Sequence, residues 1–374
     1  MTTSPRPLDG VRVLDLSRVL AGPWAGQLLG DLGADVIKVE RPGAGDDTRH
    51  WGPPFLADKD GNTTDAAYFL SANRNKRSVA IDMAASQGAD LIRRLAQRSD
   101  IFLENFKVGG LAKYGLDYAS VSRINPKIVY CSITGFGQNG PEAERPGYDF
   151  MIQATGGLMS VTGQADGAPG AEPMKVGVAV ADLFSGMYAA TGILAALRHA
   201  ERTGEGQHVD VALFDCQLAM LANQASNYLV SGKSPVRLGN AHPNIVPYQV
   251  FETADGHIVV AVGNDGQFAA FAGALGLPAL ATDERFAAGR ARVVNRAALL
   301  EKVSPVMKAK SKAHWFAALD RAGVPVGPIN TVAQAFAEPQ AAAREMTMRL
   351  PRPNEEPASY VPHPVKFSKT PPRR

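Results

Sequence analysis

An alternation of apolar strand-like segments with helix-like segments constrains the fold of the chain more than any other feature of its sequence. VRVLDL (11–16) has the composition of a strand, PWAGQLLGDLG (23–33) has helical spacing, and ADVIKVE (34–40) is again typical of a strand. The order repeats in SVAIDM, ASQGADLIRRLAQRS, DIFLENF and KIVYCSITGFG. Near-continuous apolar strands separated by helices predict a parallel sheet with helices on both faces, hence an α/β fold.

The composition changes near residue 231, which indicates a second domain. A polar segment rich in Gly and Pro, SGKSPVRLGNAHPNIVPYQ, precedes the hairpin pattern YQVFETADGHIVVAVG, and helical patterns follow at 266–276, 293–309 and 312–322. We predict a Rossmann-like large domain over residues 1–229, completed by residues 326–374, and a small α+β domain over residues 230–325. A chain of 374 residues agrees with two domains, because one core seldom grows past about 250–300 residues.

Charge and cysteine content exclude several classes of protein. The net charge of +3 and the absence of Lys/Arg runs interleaved with aromatics argue against a nucleic-acid partner. Cys131 and Cys216 each lie in an apolar segment, so we expect buried free thiols and no zinc site. The start, MTTSPRPLDG, lacks the apolar core of a secretion signal, and no stretch predicts a membrane helix, so we expect a cytoplasmic protein without a membrane partner.

Two basic segments are candidates for binding phosphate. Arg41 follows the second predicted strand directly, where a guanidinium suits a phosphate or lies solvated at the surface. In SANRNKRS (71–78) the side chains of Asn73–Arg77 either hold phosphates or form a hydrophilic turn. A dinucleotide site is disfavoured, because there is no G-x-G-x-x-G and Gly22 is followed by Pro23 and Trp24.

Asp182 is the one charged residue in VGVAVADLFSGMYAATGILAAL (176–197), between a strand-like run and a helix. Aspartate is a favoured helix N-cap, and capping alone explains its position. Capping is also compatible with chemistry, because the helix dipole would hold the carboxylate ionised and small neighbours would leave room for a substrate. Such a carboxylate can attack thioesters or phosphates. No metal-ligand, G-x-S-x-G or C-x-x-C spacing offers a competing site.

The chain resembles the class III CoA-transferases, the CaiB/BaiF family of formyl-CoA, carnitine and bile-acid CoA-transferases, with α-methylacyl-CoA racemases as relatives. The matching segments span almost all of residues 8–216: LDGVRVLDLSRVLAGPWAGQLLGDLGADVIKVERP, NRNKRSVAIDM, IFLENFKVGGLAKYGL, PGYDFMIQATGG, VADLFSGMYAATGILAAL and TGEGQHVDVALFD. Downstream, RLGNAHPNIVPYQVFETADGHIVVAVGN and GVPVGPINTVAQAFAEPQ are most similar to the succinyl-CoA:glutarate and other dicarboxylate members.

The resemblance implies that Asp182 is the acyl carrier of a CoA-transferase that works through an aspartyl anhydride and an aspartyl-CoA thioester. The related racemases have a proton-transferring His where this chain has Tyr148. A tyrosine with a pKa near its reference of about 10 is a poor base at neutral pH, so transfer is favoured over racemisation. A racemase or epimerase, and a CoA-binding protein without catalysis, stay as alternatives.

The resemblance also assigns binding residues and an assembly. The implied contacts of CoA, a substrate and not a tightly bound cofactor, are Leu20, Ala21, Arg41, Ile81, Asp82, Met83, Asn105, Phe106, Lys107, Lys113, Gly147, Tyr148 and Asp149. The loop 237–244 resembles the mobile glycine-rich loop of the family, although Gly239 is its one glycine, and the implied acid-substrate residues are Arg237, Gly239, Asn240 and His242. Arg237, His242 or Arg18 supplies the cation for the far carboxylate of a dicarboxylic acid. The implied assembly is an interlocked homodimer.

Overall fold

The computed structural model describes residues 5–352 and 355–373, and they form two compact units. The first unit comprises the described residues of Met1–Met159, Lys175–Ser234 and Pro339–Arg374, and the second comprises Ser160–Met174 and Pro235–Glu338. The α/β class expected from the sequence is confirmed. The domain boundaries expected at 229/230 and 325/326 stay a prediction.

The helices and strands follow one another along the chain in this order: β1 (Arg12–Asp15), α1 (Ala21–Asp31), β2 (Asp35–Glu40), β3 (Phe55–Ala57), β4 (Thr63–Ala66), α2 (Ala67–Asn73), β5 (Lys76–Ala80), α3 (Ser86–Ala96), β6 (Ile101–Glu104), α4 (Tyr118–Ile124), β7 (Val129–Thr134), α5 (Asp149–Thr155), α6 (Leu158–Val161), α7 (Val180–Thr203), β8 (Gln207–Ala212), α8 (Leu213–Met220), α9 (Ala222–Ser231), β9 (Tyr248–Thr253), β10 (Gly256–Ala261), α10 (Asp265–Ala274), α11 (Gly289–Val294), α12 (Arg296–Lys308), α13 (Lys312–Arg321), β11 (Val326–Pro328), α14 (Val332–Ala337), α15 (Pro339–Ala343), β12 (Met348–Arg352) and β13 (Glu355–Tyr360). Short 3-10 helices occupy Asp47–His50, Ala112–Tyr114 and Pro278–Ala281.

A six-stranded parallel sheet forms the centre of the first unit, with strand order β5-β2-β1-β6-β7-β8. Leu14 of β1 lies opposite Ile37 of β2 and Phe102 of β6. Every residue of β6 and β7 is buried, which explains why their sequences are apolar without alternation. All six strands point the same way, so the turns that follow them meet at one edge of the sheet.

Helix α7 is the long core helix that packs against this sheet and against α1. Its buried face includes Ala181, Gly186, Ala189 and Ile193. By length and composition α7 could also cross a membrane, but 44% of its most apolar window is buried inside the protein. The packing against the sheet and α1 accounts for its apolar composition, and we interpret it as a core helix.

Several local expectations from the sequence were wrong. The apolar run before Asp182 is not a strand, because residues 171–179 have no helix or sheet pairing. The single helix expected over 214–230 is two helices, α8 and α9, because Ala222 adopts a φ of 47°. The sequence analysis also missed the hairpins β3–β4 and β12–β13.

The second unit contains a three-stranded antiparallel sheet, ordered β11-β10-β9, with helices α10 to α13. The expected hairpin β9–β10 is present, with Ala254 and Asp255 as its connecting residues and Gly256 at a φ of 134°. Phe251, Phe268, Phe271 and Trp315 belong to its buried core. The helix expected over 293–309 is interrupted at Asn295, between α11 and α12.

The close approach of α7 to α1 depends on Gly186, and we expect Gly186→Ala to destabilise the protein. A Cβ at this position would lie 2.6 Å from the carbonyl oxygen of Ala21 and 3.0 Å from Trp24. Overpacking of this kind costs about 1–3 kcal/mol, which exceeds the gain in helix propensity of about 1 kcal/mol from glycine to alanine. Urea unfolding of the variant and the wild type measures the change.

Gly192→Ala, in the same helix, is the matched control. Its Cβ would meet one atom within 4 Å, the Cγ1 methyl of Val209 at 3.1 Å. We expect the free energy of unfolding to stay unchanged or to rise by up to about 1 kcal/mol. Equal stability changes in both variants would contradict the assignment of Gly186 as the contact that limits helix approach.

Candidate functional site

A cleft of about 250 Å³ opens at the carboxyl edge of the parallel sheet, within the first unit. The turn after β1 contributes residues 18–21, the turn after β6 contributes residues 105–108, and the end of β7 contributes residues 133–135. Residues 143–148 and Asp182 complete its wall. Open α/β sheets bind their ligands at this edge, so the fold places Asp182 where a substrate can reach it.

Asp182 is the third residue of α7 and is partly buried. Burial, and secondly the charge of Asp149, raise the pKa of Asp182 to about 7. Over residues 5–352 and 355–373 its carboxyl has neither a hydrogen bond nor an ion pair. Burial therefore opposes the ionisation of Asp182 that we expected the helix dipole to favour.

The expectation that Asp182 caps α7 was wrong. The N-cap residue is Ala179, whose side chain cannot accept a hydrogen bond. Asp149 performs this role from α5, because its Oδ1 accepts a hydrogen bond of 2.9 Å from the backbone N–H of Ala181. Asp182 therefore does not cap α7, and its carboxyl can contact a ligand in the cleft.

The turn after β1 is held by buried charges. Val19 adopts a φ of 72°, which is rare for a β-branched residue. Lys38 donates from Nζ to the carbonyl oxygen of Ser17 at 2.7 Å and pairs with Asp46 at 2.8 Å. Asn105 and Arg18 exchange two hydrogen bonds, of 3.0 and 2.7 Å. These contacts fix the backbone that lines one side of the cleft.

The basic segment 71–78 forms ion pairs within the protein and is not a phosphate site. Arg74 pairs with Asp31, Arg77 pairs with Asp35, and Lys76 pairs with Asp15 at 2.9 Å. Burial lowers the pKa of Lys76 to about 8. These cations neutralise acidic residues of β1, α1 and β2, so the structure supports neither a free phosphate site nor a simple solvated turn.

Eleven of the thirteen predicted CoA residues line one of two clefts of the first unit. Lining the cleft with Asp182 are Leu20, Ala21, Asn105, Phe106, Lys107, Gly147 and Tyr148. A second cleft of about 280 Å³ is lined by Arg41, Ile81, Asp82 and Met83, and Phe106 and Arg18 contribute to both. The guanidinium of Arg41 is exposed and has no ion pair within the described part of the chain.

Two of the predicted CoA residues line neither of these clefts. Lys113 lies over the ring of Tyr114, with 4.8 Å from its Nζ to the ring centroid. Both carboxyl oxygens of Asp149 accept hydrogen bonds from the protein itself. Tyr148, in contrast, is 67% exposed and lines the cleft with Asp182.

The predicted acid-substrate residues belong to the second unit, and Arg18 belongs to the first. Arg237 pairs with Asp166 and donates to the carbonyl oxygen of Gln164 at 3.3 Å. Gly239 has a φ of 61°, and Asn240 follows it in the same turn. His242 accepts a hydrogen bond of 3.1 Å from the N–H of Asn244. Of the three candidate cations, Arg18 is the one that lines the cleft with Asp182.

Two aromatic residues near Asp182 were missed by the sequence analysis. Trp51 lines the cleft, and its ring contacts that of Tyr68 edge-on at a centroid distance of 5.3 Å. Burial, followed by the charges of Asp182 and Asp149, raises the pKa of Tyr68 to about 12. Tyr68 therefore keeps its proton at neutral pH and can donate a hydrogen bond. The sequence signal that could have identified them is the presence of aromatic residues in the polar segment 42–70.

Neither cysteine belongs to a metal centre. Cys131 and Cys216 are free and buried, and burial raises the pKa of both thiols. Among the described residues, no group of three or more His, Cys, Asp or Glu side chains is arranged to hold a metal ion.

The chain is similar to known proteins along almost all of its length. The family described as CoA-transferase family III matches residues 8–374. The succinate–glutarate CoA-transferase of Agrobacterium fabrum is 52% identical over 99% of this chain and 92% of its own length. The human succinyl-CoA:glutarate CoA-transferase is 45% identical over 97% of this chain and 81% of its own length. A crystal structure of a CAIB/BAIF family protein from Brucella suis is 53% identical and superposes with a TM-score of 0.85 over 99% of this chain and 95% of that one.

The raised pKa of Asp182 implies that its charge destabilises the folded protein, and we expect Asp182→Asn to be stabilising in alkaline solution. The folded pKa of about 7 exceeds the ordinary value of 3.8, so the penalty is absent below pH 3.8 and complete above pH 7. The difference between the two values corresponds to at most about 4 kcal/mol. Urea midpoints at pH 5 and pH 8 should show a larger stabilisation at pH 8. A gain that is the same at both pH values would contradict the buried charge.

Proposed function

This chain belongs to CoA-transferase family III, and we propose that it moves CoA from a dicarboxylic acyl-CoA, such as succinyl-CoA, to a second dicarboxylic acid, such as glutarate. The observation that carries the proposal is the carboxyl of Asp182, partly buried and without a cation, in the cleft at the edge of the sheet. The names of the relatives from Agrobacterium fabrum and human support the substrate class. A cytoplasmic location remains a prediction.

In the proposed mechanism Asp182 is first acylated and then carries CoA. Its carboxylate attacks the thioester carbonyl of the donor, and the C–S bond breaks. This step forms a mixed anhydride between Asp182 and the donor acid and releases CoA as a thiolate. The thiolate attacks the aspartyl carbonyl of the anhydride and releases the donor acid as a carboxylate, which leaves an aspartyl-CoA thioester. The acceptor carboxylate then attacks this thioester. The expelled thiolate finally attacks the acceptor carbonyl of the new anhydride, which gives acceptor-CoA and restores Asp182.

The surroundings of Asp182 suit a nucleophile and the oxyanions that form. With a pKa of about 7, the carboxyl is ionised in about half of the molecules at neutral pH and is more basic than an ordinary aspartate. Each attack develops an oxyanion, and loss of one fixed donor to such a group typically costs about 2.7–4 kcal/mol. The protonated hydroxyl of Tyr68 is our candidate for such a donor.

The two clefts suit the two ends of CoA. We assign the phosphates to Arg41, whose exposed guanidinium has no carboxylate partner among the residues described, and the adenosine part to Ile81, Asp82 and Met83. The two clefts share Arg18, Asp47 and Phe106, so a single extended molecule can reach from Arg41 to Asp182. Leu20, Ala21, Asn105, Lys107, Gly147 and Tyr148 then contact the pantetheine arm and thioester.

Arg18 is our candidate for the far carboxylate of the acid substrate. Its guanidinium lies 3.4 Å from the carboxylate of Asp47, and both side chains are substantially exposed, at 54% and 41%. Exposed pairs of this kind contribute at most about 1 kcal/mol, so a substrate carboxylate can replace Asp47 as the partner. Arg237 already has Asp166 as a partner in the second unit. Because Arg18 also borders the second cleft, it can contact CoA as well.

We further propose that two copies of the chain form a homodimer through the exposed apolar surface of α7 to α9. This surface comprises Phe184, Met187, Tyr188, Leu218, Tyr228, Leu229 and Val230. Leu229 and Val230 are 77% and 89% exposed. Exposed apolar side chains on three consecutive helices are typical of an interaction site, and the resemblance to an interlocked family makes a second copy its occupant.

We expect Asp182→Ala to lose CoA transfer by about a thousandfold or more, because the variant has no group to carry the acyl chain or CoA. Purified protein is mixed with succinyl-CoA and a panel of acids that includes glutarate, and the CoA products are identified by mass spectrometry. Hydroxylamine added after succinyl-CoA should modify Asp182 in the wild type and leave the variant unmodified. Transfer by the variant at the wild-type rate would remove Asp182 from the chemistry.

Arg41→Ala is the matched comparison, since it changes CoA binding without changing the acyl carrier. We expect the KM for succinyl-CoA to rise about tenfold with kcat little changed, as for uniform binding. Asp182→Ala should in turn keep the affinity for CoA within about threefold. Exchange of deuterium into the α-carbon of the acyl group in D2O without an acceptor would instead support an epimerase.

The assembly proposal is tested by sedimentation velocity. The wild type should sediment with twice the mass of the chain, and Val230→Glu should weaken the dimer because it places a charge in the contact surface. Leu91→Glu, on α3 outside this surface, is the control and should remain dimeric. A monomeric wild type would refute the proposal.

A further inference from the structure

We propose that Asp149 is a positioning residue for Asp182: it anchors the first turn of α7 and sets a second negative charge beside the reacting carboxyl, and it does not bind CoA. The inference rests on the proposed function of Asp182 as acyl carrier. It differs from the role that the family resemblance implies for Asp149, which is a contact with CoA.

The anchor is a hydrogen bond to the residue next to Asp182. Oδ1 of Asp149 accepts from the N–H of Ala181 at 2.9 Å, and Ala181 is fully buried. The first N–H groups of a helix have no partner inside the helix, and Ala179 as N-cap offers no side-chain acceptor. Asp149 therefore supplies a cap that the local sequence lacks, and the position of the Asp182 backbone follows from it.

A second hydrogen bond extends the anchor to the segment before α7. Oδ2 of Asp149 accepts from Nε2 of Gln153 at 2.8 Å, and Oε1 of Gln153 accepts from the N–H of Val176 at 2.9 Å. Gln153 is fully buried. The segment 175–179 has no sheet partner, so this chain of hydrogen bonds ties it to α5. Helix α5, the segment and α7 are thus joined through Asp149 and Gln153.

The two carboxylates are in unequal surroundings. Asp149 has an N–H donor on each oxygen, whereas the Asp182 carboxyl has no such donor in the described chain. Two neighbouring negative charges oppose each other's ionisation. The rise in pKa is larger for the carboxyl that accepts fewer hydrogen bonds. Accordingly the pKa of Asp182 is raised to about 7, by burial first and by Asp149 second.

The same contacts argue against a role of Asp149 in CoA binding. Each oxygen of its carboxyl already accepts a hydrogen bond, and its side chain is absent from the walls of both clefts. A carboxylate would also repel the phosphates of CoA. When Asp182 is acylated, its charge leaves the neighbourhood of Asp149, so the repulsion favours the acylated state over the free carboxylate.

Other titratable groups line the cleft or lie on helices that pack against α7, and they belong in the account of the pH dependence. Around the cleft these are Arg18, Asp47, Tyr68, Lys107, Glu144, Arg145 and Tyr148. The helices packed on α7 add Asp31 of α1, which is paired with Arg74, and Asp215 of α8. Asp149 differs from these groups because its carboxylate accepts a hydrogen bond from the first turn of α7.

The test compares variants that separate the charge of Asp149 from its hydrogen bonds. Asp149→Asn keeps an acceptor oxygen for Ala181 and removes the charge. The acid limb of the kcat/KM profile should then move about one unit to lower pH, because removing a negative neighbour lowers the pKa of Asp182. Gln153→Met keeps the charge and the hydrogen bond from Ala181, and it removes both the donor to Oδ2 of Asp149 and the tie to Val176, so kcat should fall about tenfold while the acid limb stays in place.

Two further variants complete the design. Asp149→Glu keeps the charge with a longer side chain, and it should retain the acid limb of the wild type with a lower kcat. It keeps the test decisive if Asp149→Asn does not fold. Asp215→Asn removes a carboxylate from the first turn of α8, away from the cleft, and should leave the profile unchanged. The KM for succinyl-CoA should stay within about threefold of the wild type in all of them.

The outcomes separate this inference from the proposed function. An unmoved acid limb in Asp149→Asn, or an acid limb in Asp149→Glu displaced to lower pH, overturns the inference. So does a rise of tenfold or more in KM at constant kcat, which would place Asp149 on CoA. Hydroxylamine trapping at Asp182 in the wild type is scored independently. Without that label the proposed function fails, whatever the pH profiles show.

Discussion

The chemistry that we propose for the first unit depends on the carboxyl group of Asp182, which is partly buried beside a second carboxylate. Burial and the charge of Asp149 both oppose its ionisation, and no cation of the described chain compensates. A fold can keep such a group only where the surrounding backbone is fixed. Here the buried face of α7 against the sheet, with the close approach of Gly186 to α1, provides that support.

A similar principle applies to the turn after β1, where the charges are paired. Lys38 with Asp46 and Lys76 with Asp15 lie below the turn after β1, and all four side chains are almost fully buried. Buried pairs add little net stability relative to apolar residues, but breaking one is costly because a single charge remains. Their contribution is therefore the fixed conformation of the turn at Val19, next to residues that we assign to CoA. Paired charges fix the turn after β1, whereas Asp182 on α7 has no ion-pair partner among the described residues.

The sequence predicted the features that depend on local pattern and missed those that depend on distant partners. The parallel strands were predicted because successive residues such as Val13 and Leu14, which pack on opposite faces of the sheet, are both apolar. The cap of α7 could not be predicted, since Asp149 lies 32 residues before Ala181 in the chain. The basic segment 71–78 was misjudged for the same reason, because the partners of its cations lie on β1, α1 and β2. Within the site, Asp182 was recognisable as a lone charge in an apolar stretch, whereas its pKa required the folded surroundings.

The raised pKa also bears on the direction of the proposed reaction. The mixed anhydride has two carbonyl groups, and the CoA thiolate can attack either. Attack on the donor carbonyl expels Asp182 as a carboxylate and reverses the first step, whereas attack on the aspartyl carbonyl expels the donor acid. The less basic carboxylate is the better leaving group, and an ordinary carboxylic acid has a pKa near 4, against about 7 for Asp182. Returning Asp182 to its free form would in addition restore a negative charge beside Asp149. Both effects favour the aspartyl-CoA thioester in the first half of the reaction, and in the second half they oppose the final step, in which Asp182 is expelled from the new anhydride.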